Sequence, residues 1–155
     1  MASFRTLWDS YPKDNHPCRK RNIPQYENQC AIRLGVCFLA AGVRTDQWIV
    51  TRCWHHRREE GHTLRAEELA ALFDSGAVAG LGRTEKYDGK VAFPKILTRT
   101  GVVLIKDWWG SGSTGDHIDL WDSNTTKSGL VVPYSYRPGD GGRYEDGKIW
   151  FWQVY

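Results

Sequence analysis

Apolar residues recur along this chain in two rhythms, helical in the first half and alternating in the second. The segment NQCAIRLGVCFLAAG places Ile32, Leu34, Val36, Phe38, Leu39 and Ala40 round most of a helix, which predicts a central, largely buried element capped by Asn28 and ended by Gly42. A shorter helix is expected over residues 3–11, with Ser3 as cap and Phe4, Leu7 and Trp8 on one side. Pro12 and Pro17 then impose an extended path through KDNHPCRKRNIP. A further helix is predicted from about Leu64 to Phe73, capped by Thr63, with Glu67 and Glu68 in its early turns and Leu69, Leu72 and Phe73 for the core. The histidine- and arginine-rich stretch before it reads as surface, and Gly76, Gly80, Gly82 and Gly89 read as turns.

From Gly101 the rhythm changes. VVLIK reads as a buried strand, HIDLW alternates with period two as a half-buried strand, LVV is a short strand, and IWFWQVY closes the chain. Helices followed by antiparallel strands predict an α+β fold, with residues 1–155 as one domain.

Composition narrows the function classes. Lys and Arg outnumber Asp and Glu by 21 to 18, a net charge of only +3, and the basic residues are scattered or followed by acids, as in HHRREE, so no nucleic-acid partner is expected. No apolar run reaches membrane-spanning length, so no membrane insertion is expected. The start, MASFRTLWDSYPK, lacks the apolar region of a secretory signal, so synthesis in a cytoplasm is expected. Eight tryptophans are present, and Trp48, Trp54, Trp108, Trp109, Trp121, Trp150 and Trp152 offer a groove or partner surface as well as a core.

The candidate chemistry lies at two places. With Asn28 as cap, Cys30 is the second helical residue, beside unpaired amides and the positive end of the helix dipole, both of which favour thiolate over thiol. Its own amide is a natural oxyanion donor, joined by the side chain of Gln25 or Gln29, and Trp108 and Trp109 are candidate substrate contacts. Cys37, in mid-helix among apolar residues, reads as a core residue. His117 opens the alternating strand, and Asp119, two residues on, shares its face and could hold the imidazole tautomer. Asp122 and Ser128 are the alternatives for that third role.

His16, His55, His56 and His62 fall in loops and read as solvated. Cys18 with His16, or Cys53 with His55 and His56, lacks regular ligand spacing, so no metal and no cofactor are expected, while a Cys18–Cys53 disulfide stays open. GSGSTG lacks the lysine and following Ser or Thr of a phosphate loop. Two other readings compete: a cysteine hydrolase or deamidase acting on a protein target, and a non-enzymatic module that binds glycan or peptide through its tryptophans.

With these residues in place, the chain resembles the type VI secretion amidase effector family 4, of the papain-like, NlpC/P60-like group. The resemblance rests on DNHPC, on Tyr26–Glu27–Asn28–Gln29–Cys30–Ala31–Ile32–Arg33, and above all on Gly115–Asp116–His117–Ile118–Asp119–Leu120–Trp121. It implies a helix bearing the nucleophile packed on an antiparallel sheet, with the family's cysteine and histidine at Cys30 and His117. It also implies an antibacterial toxin that cuts D-glutamyl–meso-diaminopimelate bonds of peptidoglycan stem peptides in the periplasm of a target bacterium. The implied partners are a secretion apparatus component and a cognate immunity protein. The family's acid comes from the following strand and falls here at Ser128.

Overall fold

The chain's architecture is taken from a computed structural model, which describes residues 2–14, 16–106, 116–124, 130, 131 and 147–155. Helix α1 (Phe4–Ser10) starts at Ser3, whose hydroxyl accepts from the Thr6 amide, and it buries Phe4 and Leu7 as expected. The stretch expected to be extended contains a small hairpin, β1 (Arg19–Lys20) and β2 (Ile23–Pro24). Its two-residue turn holds Arg21 and Asn22 both at positive φ, the geometry that matches the twist of paired strands.

Helix α2 (Cys30–Ala40) is the buried helix expected, hidden along most of its length. Helix α3 (Ala66–Asp74) starts later than predicted, with Arg65 at the cap position. Thr63 does not cap it, because its hydroxyl donates instead to the Ala31 carbonyl at 2.7 Å and so ties this loop to α2. The same approach makes Gly35 obligatory. A Cβ there would lie 2.2 Å from the Gly61 carbonyl oxygen and 2.5 Å from Thr63 Oγ1.

Gly89, read as a turn, instead opens a helix, and two elements not expected from the sequence follow the turns at Gly76 and Gly80. Strand β3 (Thr84–Asp88) pairs with β6 (Lys148–Gln153), and α4 (Gly89–Ile96) follows it directly, containing Pro94. Their sequence signals are weak: β3 is a charged edge strand, and α4 carries a glycine and a proline that normally mark breaks. Tertiary contacts override this. Ala92, Phe93 and Ile96 pack on Val103, Ile105, Trp121 and Phe151, and Lys86 lies 3.8 Å over the Trp150 ring.

Strands β4 (Thr100–Ile105) and β5 (His117–Asp122) complete an antiparallel sheet of order β3–β6–β4–β5. The short strand expected at LVV is, among the described residues, only a bridge from Leu130 to Trp121. Along β4 successive residues serve opposite faces. Val102 and Leu104 join the core with α1, α2 and α3, while Val103 and Ile105 join the core with α4. Strand β5 is therefore buried from His117 to Trp121 rather than half-buried, because helices cover both faces of the sheet. Phe38, Trp48, Phe73 and Trp152 form a linked aromatic cluster in the larger core.

Gly35→Ala is expected to destabilise the fold by about 2 kcal/mol or more, because the added methyl meets backbone rather than a yielding side chain. Thermal melting checks this; an unchanged Tm would show that α2 does not need so close an approach.

Candidate active site

The chain enters α2 through Asn28 and Gln29. The Asn28 side chain accepts from the Cys30 amide at 3.1 Å, as a cap does, although Gln29 occupies the cap position and Cys30 is the first helical residue rather than the second. The thiol therefore lies in the first turn, where free amides and the helix dipole favour negative charge. Its Sγ also lies 3.9 Å from the Asp116 carbonyl oxygen, at the mouth of β5.

Strand β5 delivers the second group. His117 is buried, and its side chain is hydrogen-bonded to Cys30. Its Nε2 lies 3.3 Å from Asp119 Oδ2, which leaves Nδ1 as the ring nitrogen for the sulfur. Asp119 in turn accepts from the Leu120 amide at 2.8 Å through its other oxygen. The shared face read from the alternation of β5 thus brings His117 and Asp119 into contact.

Burial acts against charge on both members of the pair, and their mutual contacts outweigh it. Burial pushes the Cys30 thiol up, but the hydrogen bond and charge of His117 bring it below its ordinary value. Burial pushes His117 down, but Asp119 and Cys30 raise it to about 9. Both shifts favour a thiolate–imidazolium pair over the neutral thiol and imidazole. Cys37 is the contrasting case: its Sγ lies 3.1 Å from the Leu7 carbonyl oxygen, and burial drives its thiol well above the ordinary range, leaving it inert.

Two neighbours of the site gave no signal in the sequence. Tyr11 is hydrogen-bonded to Asp119 and accepts from Arg33 Nε at 3.3 Å. Burial, then the Asp119 charge, raise its phenol well above the usual value, so Tyr11 stays a proton donor toward the carboxylate. Arg33, buried within α2, brings a cation to a site otherwise burying carboxylate and thiolate. An arginine in an apolar helix and a tyrosine just past α1 become parts of one network only when α1 packs across α2.

The other candidates are placed as follows. Gln29 does not offer its amide as an oxyanion donor. It is buried, accepting from the Cys18 amide at 2.7 Å and donating to the carbonyls of Cys18 and Tyr26. Gln25 donates to the Ile23 carbonyl within its own hairpin. Asp122 is five residues beyond His117, about 16 Å along a strand, and it accepts from the Asn124 amide in the following turn. Trp108, Trp109 and Ser128 lie outside the described residues.

Among the tryptophans, Trp48, Trp121 and Trp152 are core residues, whereas Trp54 is 87% exposed. Cys18 and Cys53 are free thiols rather than a disulfide. Of the loop histidines, His55 is exposed as expected, but His62 is buried and His56 half-buried.

Cys30 opens onto a cleft of about 400 Å³ whose other wall is the start of α3, with Leu64, Arg65, Glu67, Glu68 and Asp116 around it. Glu67 pairs with Lys106 at 3.2 Å, and Glu68 accepts from Arg65 and from both the amide and the hydroxyl of Thr51. The wall therefore carries charge of both signs.

A family described as "Type VI secretion system (T6SS), amidase effector protein 4" matches residues 26–152, which span α2, the cleft and every strand of the sheet. The chain belongs to this family. It is accordingly a cysteine-dependent amidase effector delivered by type VI secretion. No curated protein matches it. Among solved structures, the effector–immunity complex Tae4–Tai4 from Enterobacter cloacae gives a TM-score of 0.61 at 13% identity, covering 100% of this chain and 99% of that one. The Tae4/Tai4 system from Salmonella typhimurium gives 0.60 at 13% identity, with the same coverage. These likenesses confirm the α+β fold of the family.

Activity should follow a bell in pH. The acid limb comes from protonating the depressed Cys30 thiolate, and the alkaline limb falls near 9 as His117 loses its proton. Initial rates across pH check this; an alkaline limb unmoved by Asp119→Asn would separate the His117 titration from its carboxylate.

Proposed function

We propose that Cys30 is the nucleophile, His117 the proton shuttle and Asp119 the orienting carboxylate of a papain-like, NlpC/P60-like peptidoglycan amidase contained in this one catalytic domain. The observation that carries the proposal is the buried contact of the three side chains at a helix N-terminus, opening on the cleft. The thiolate attacks the scissile carbonyl, and the charge that develops on its oxygen is met by first-turn amides of α2 beyond that of Cys30, which already donates to the Asn28 side chain. The imidazolium gives its proton to the departing amine as the C–N bond breaks, leaving a thioester. Neutral His117 then takes a proton from water, which attacks the thioester, releasing the new carboxylic acid and restoring the thiol.

The substrate is the peptidoglycan stem peptide, cut between D-glutamate and meso-diaminopimelate in the periplasm of the target cell. Such a peptide carries carboxylates and an ammonium group, and the cleft offers Arg65 to the former and Glu67, Glu68 and Asp116 to the latter. Trp108 and Trp109 are proposed as further contacts to it from their sequence context. A secretion apparatus component would carry the enzyme out of the producer. Both similar structures are of an effector with its Tai4 immunity protein, which supports a cognate inhibitor for this chain as well. No helix among the described residues is long and apolar enough to cross a membrane.

Cys30→Ala should abolish release of fragments from purified peptidoglycan, read by mass spectrometry, while melting within a few degrees of the parent. A folded, active Cys30→Ala protein would overturn the assignment. Asp119→Asn should lower kcat by about 100-fold or more, since the amide cannot stabilise the imidazolium, whereas Asp122→Asn should leave kcat within a few-fold. Fragments cut at another bond would leave the triad standing and displace the proposed substrate.

A further inference from the structure

A second cluster of reactive side chains lies apart from Cys30 and His117, at the junction of the loop before α2 and the loop before α3. We propose that Cys18, Cys53, His56 and His62 form a structural zinc site. One donor atom from each of the four lies within 4.8 Å of all the others. The two sulfurs are 3.4 Å apart, and His56 Nδ1 lies 3.5 Å from Cys18 Sγ and 3.4 Å from Cys53 Sγ. In a tetrahedral zinc shell, with Zn–S of about 2.3 Å and Zn–N of about 2.0 Å, neighbouring donors stand roughly 3.3–3.8 Å apart. Two thiolates and two imidazoles are the soft and borderline set that selects zinc over oxygen-seeking cations.

The surroundings are built as a metal site requires. Cys18 is fully buried, Cys53 is 3% exposed and His62 7%. His62 Nδ1 is buried without any hydrogen-bond partner, which a buried ring nitrogen does not ordinarily tolerate. The His55 amide donates to Cys53 Sγ at 3.4 Å, and Gln29 holds both the amide and the carbonyl of Cys18, so both cysteines are fixed by outer contacts. Four protein ligands leave no open position, so the ion is structural rather than catalytic. The His56 and His62 rings stack at 3.9 Å. Tetrahedral ligation spreads two such rings to about 5 Å, so zinc entry would part the stacked rings by about an ångström.

Regular ligand spacing is missing because Cys18 comes from one loop while Cys53, His56 and His62 come from another, 35 positions on from Cys18 to Cys53. His16 does not join the group; its ring lies against the Glu27 carbonyl, and His55 contributes only its amide. Zinc here would pin both loops against Ile32 and Val36 of α2, and so fix the start of the helix that carries Cys30.

The test uses the full chain as Cys30→Ala, so that the nucleophile cannot bind metal, purified under reducing conditions without added metal. Elemental analysis should find about one zinc per chain, and replacement by Co²⁺ should give the intense visible bands of a tetrahedral, thiolate-ligated ion. Stripping with a chelator should lower Tm by about 10 °C, and Zn²⁺ should restore it. Cys18→Ser, His56→Ala and His62→Ala should each hold under about a tenth of the zinc, while His16→Ala and His55→Ala keep it. If Cys18→Ser fails to fold, the half-buried His56 and chelation of the parent carry the test. Absence of zinc together with a chelator-insensitive Tm, or a Cys18–Cys53 disulfide in peptide maps of freshly isolated protein, would overturn the proposal. None of these readouts depends on hydrolysis, so they stand or fall apart from the amidase assignment.

Discussion

The contact between Cys30 and His117 sets the terms for the rest of the molecule, since it places two groups of opposite charge in a buried setting that favours neither. A thiolate alone at this depth would be forced to take up a proton, and an imidazolium alone to lose one. Each is stabilised by the other, by the first turn of α2 and by Asp119, and only while they stay within hydrogen-bonding distance. Loosening α2 against β5 would return both groups to their neutral forms. The fold must therefore hold a helix end against one strand end with little freedom.

It does so from several directions. The sheet is clamped between α4 on one side and α1, α2 and α3 on the other, so β5 is packed on both faces although it ends the strand order among the described residues. The loop before α3 closes on α2 through the Gly35–Gly61 approach and the Thr63 bond to the Ala31 carbonyl. On the approach to α2, Gln29 spends its side chain on the Cys18 backbone instead of on substrate. These contacts converge on the helix that carries Cys30, which leaves the cleft shaped by the start of α3 and by Asp116.

The buried cation and phenol beside the site have an electrostatic logic. Asp119 has no access to water, so its charge must be met inside the protein. His117 meets one side of it, the Leu120 amide another, and Tyr11, itself held by Arg33, a third. A carboxylate so enclosed keeps the imidazole in one orientation, because rotation of either ring or carboxylate would break several bonds at once.

The sequence by itself determined the elements whose signal is local. The apolar circumference of α2, the Ser3 cap of α1, the alternation of β5 and the continuous apolar run of β4 each follow from side-chain period and capping chemistry. The two-residue spacing of His117 and Asp119 put them on one face for the same reason. Only the tertiary structure decided what depends on residues far apart in the chain. Strand β3 and helix α4 are stabilised by the partners they bury rather than by their own propensities, which glycine, proline and charge weaken. The employment of Gln29, the company of Tyr11 and Arg33, and the meeting of Cys18 with Cys53, His56 and His62 arise where loops cross, and no local period records a crossing.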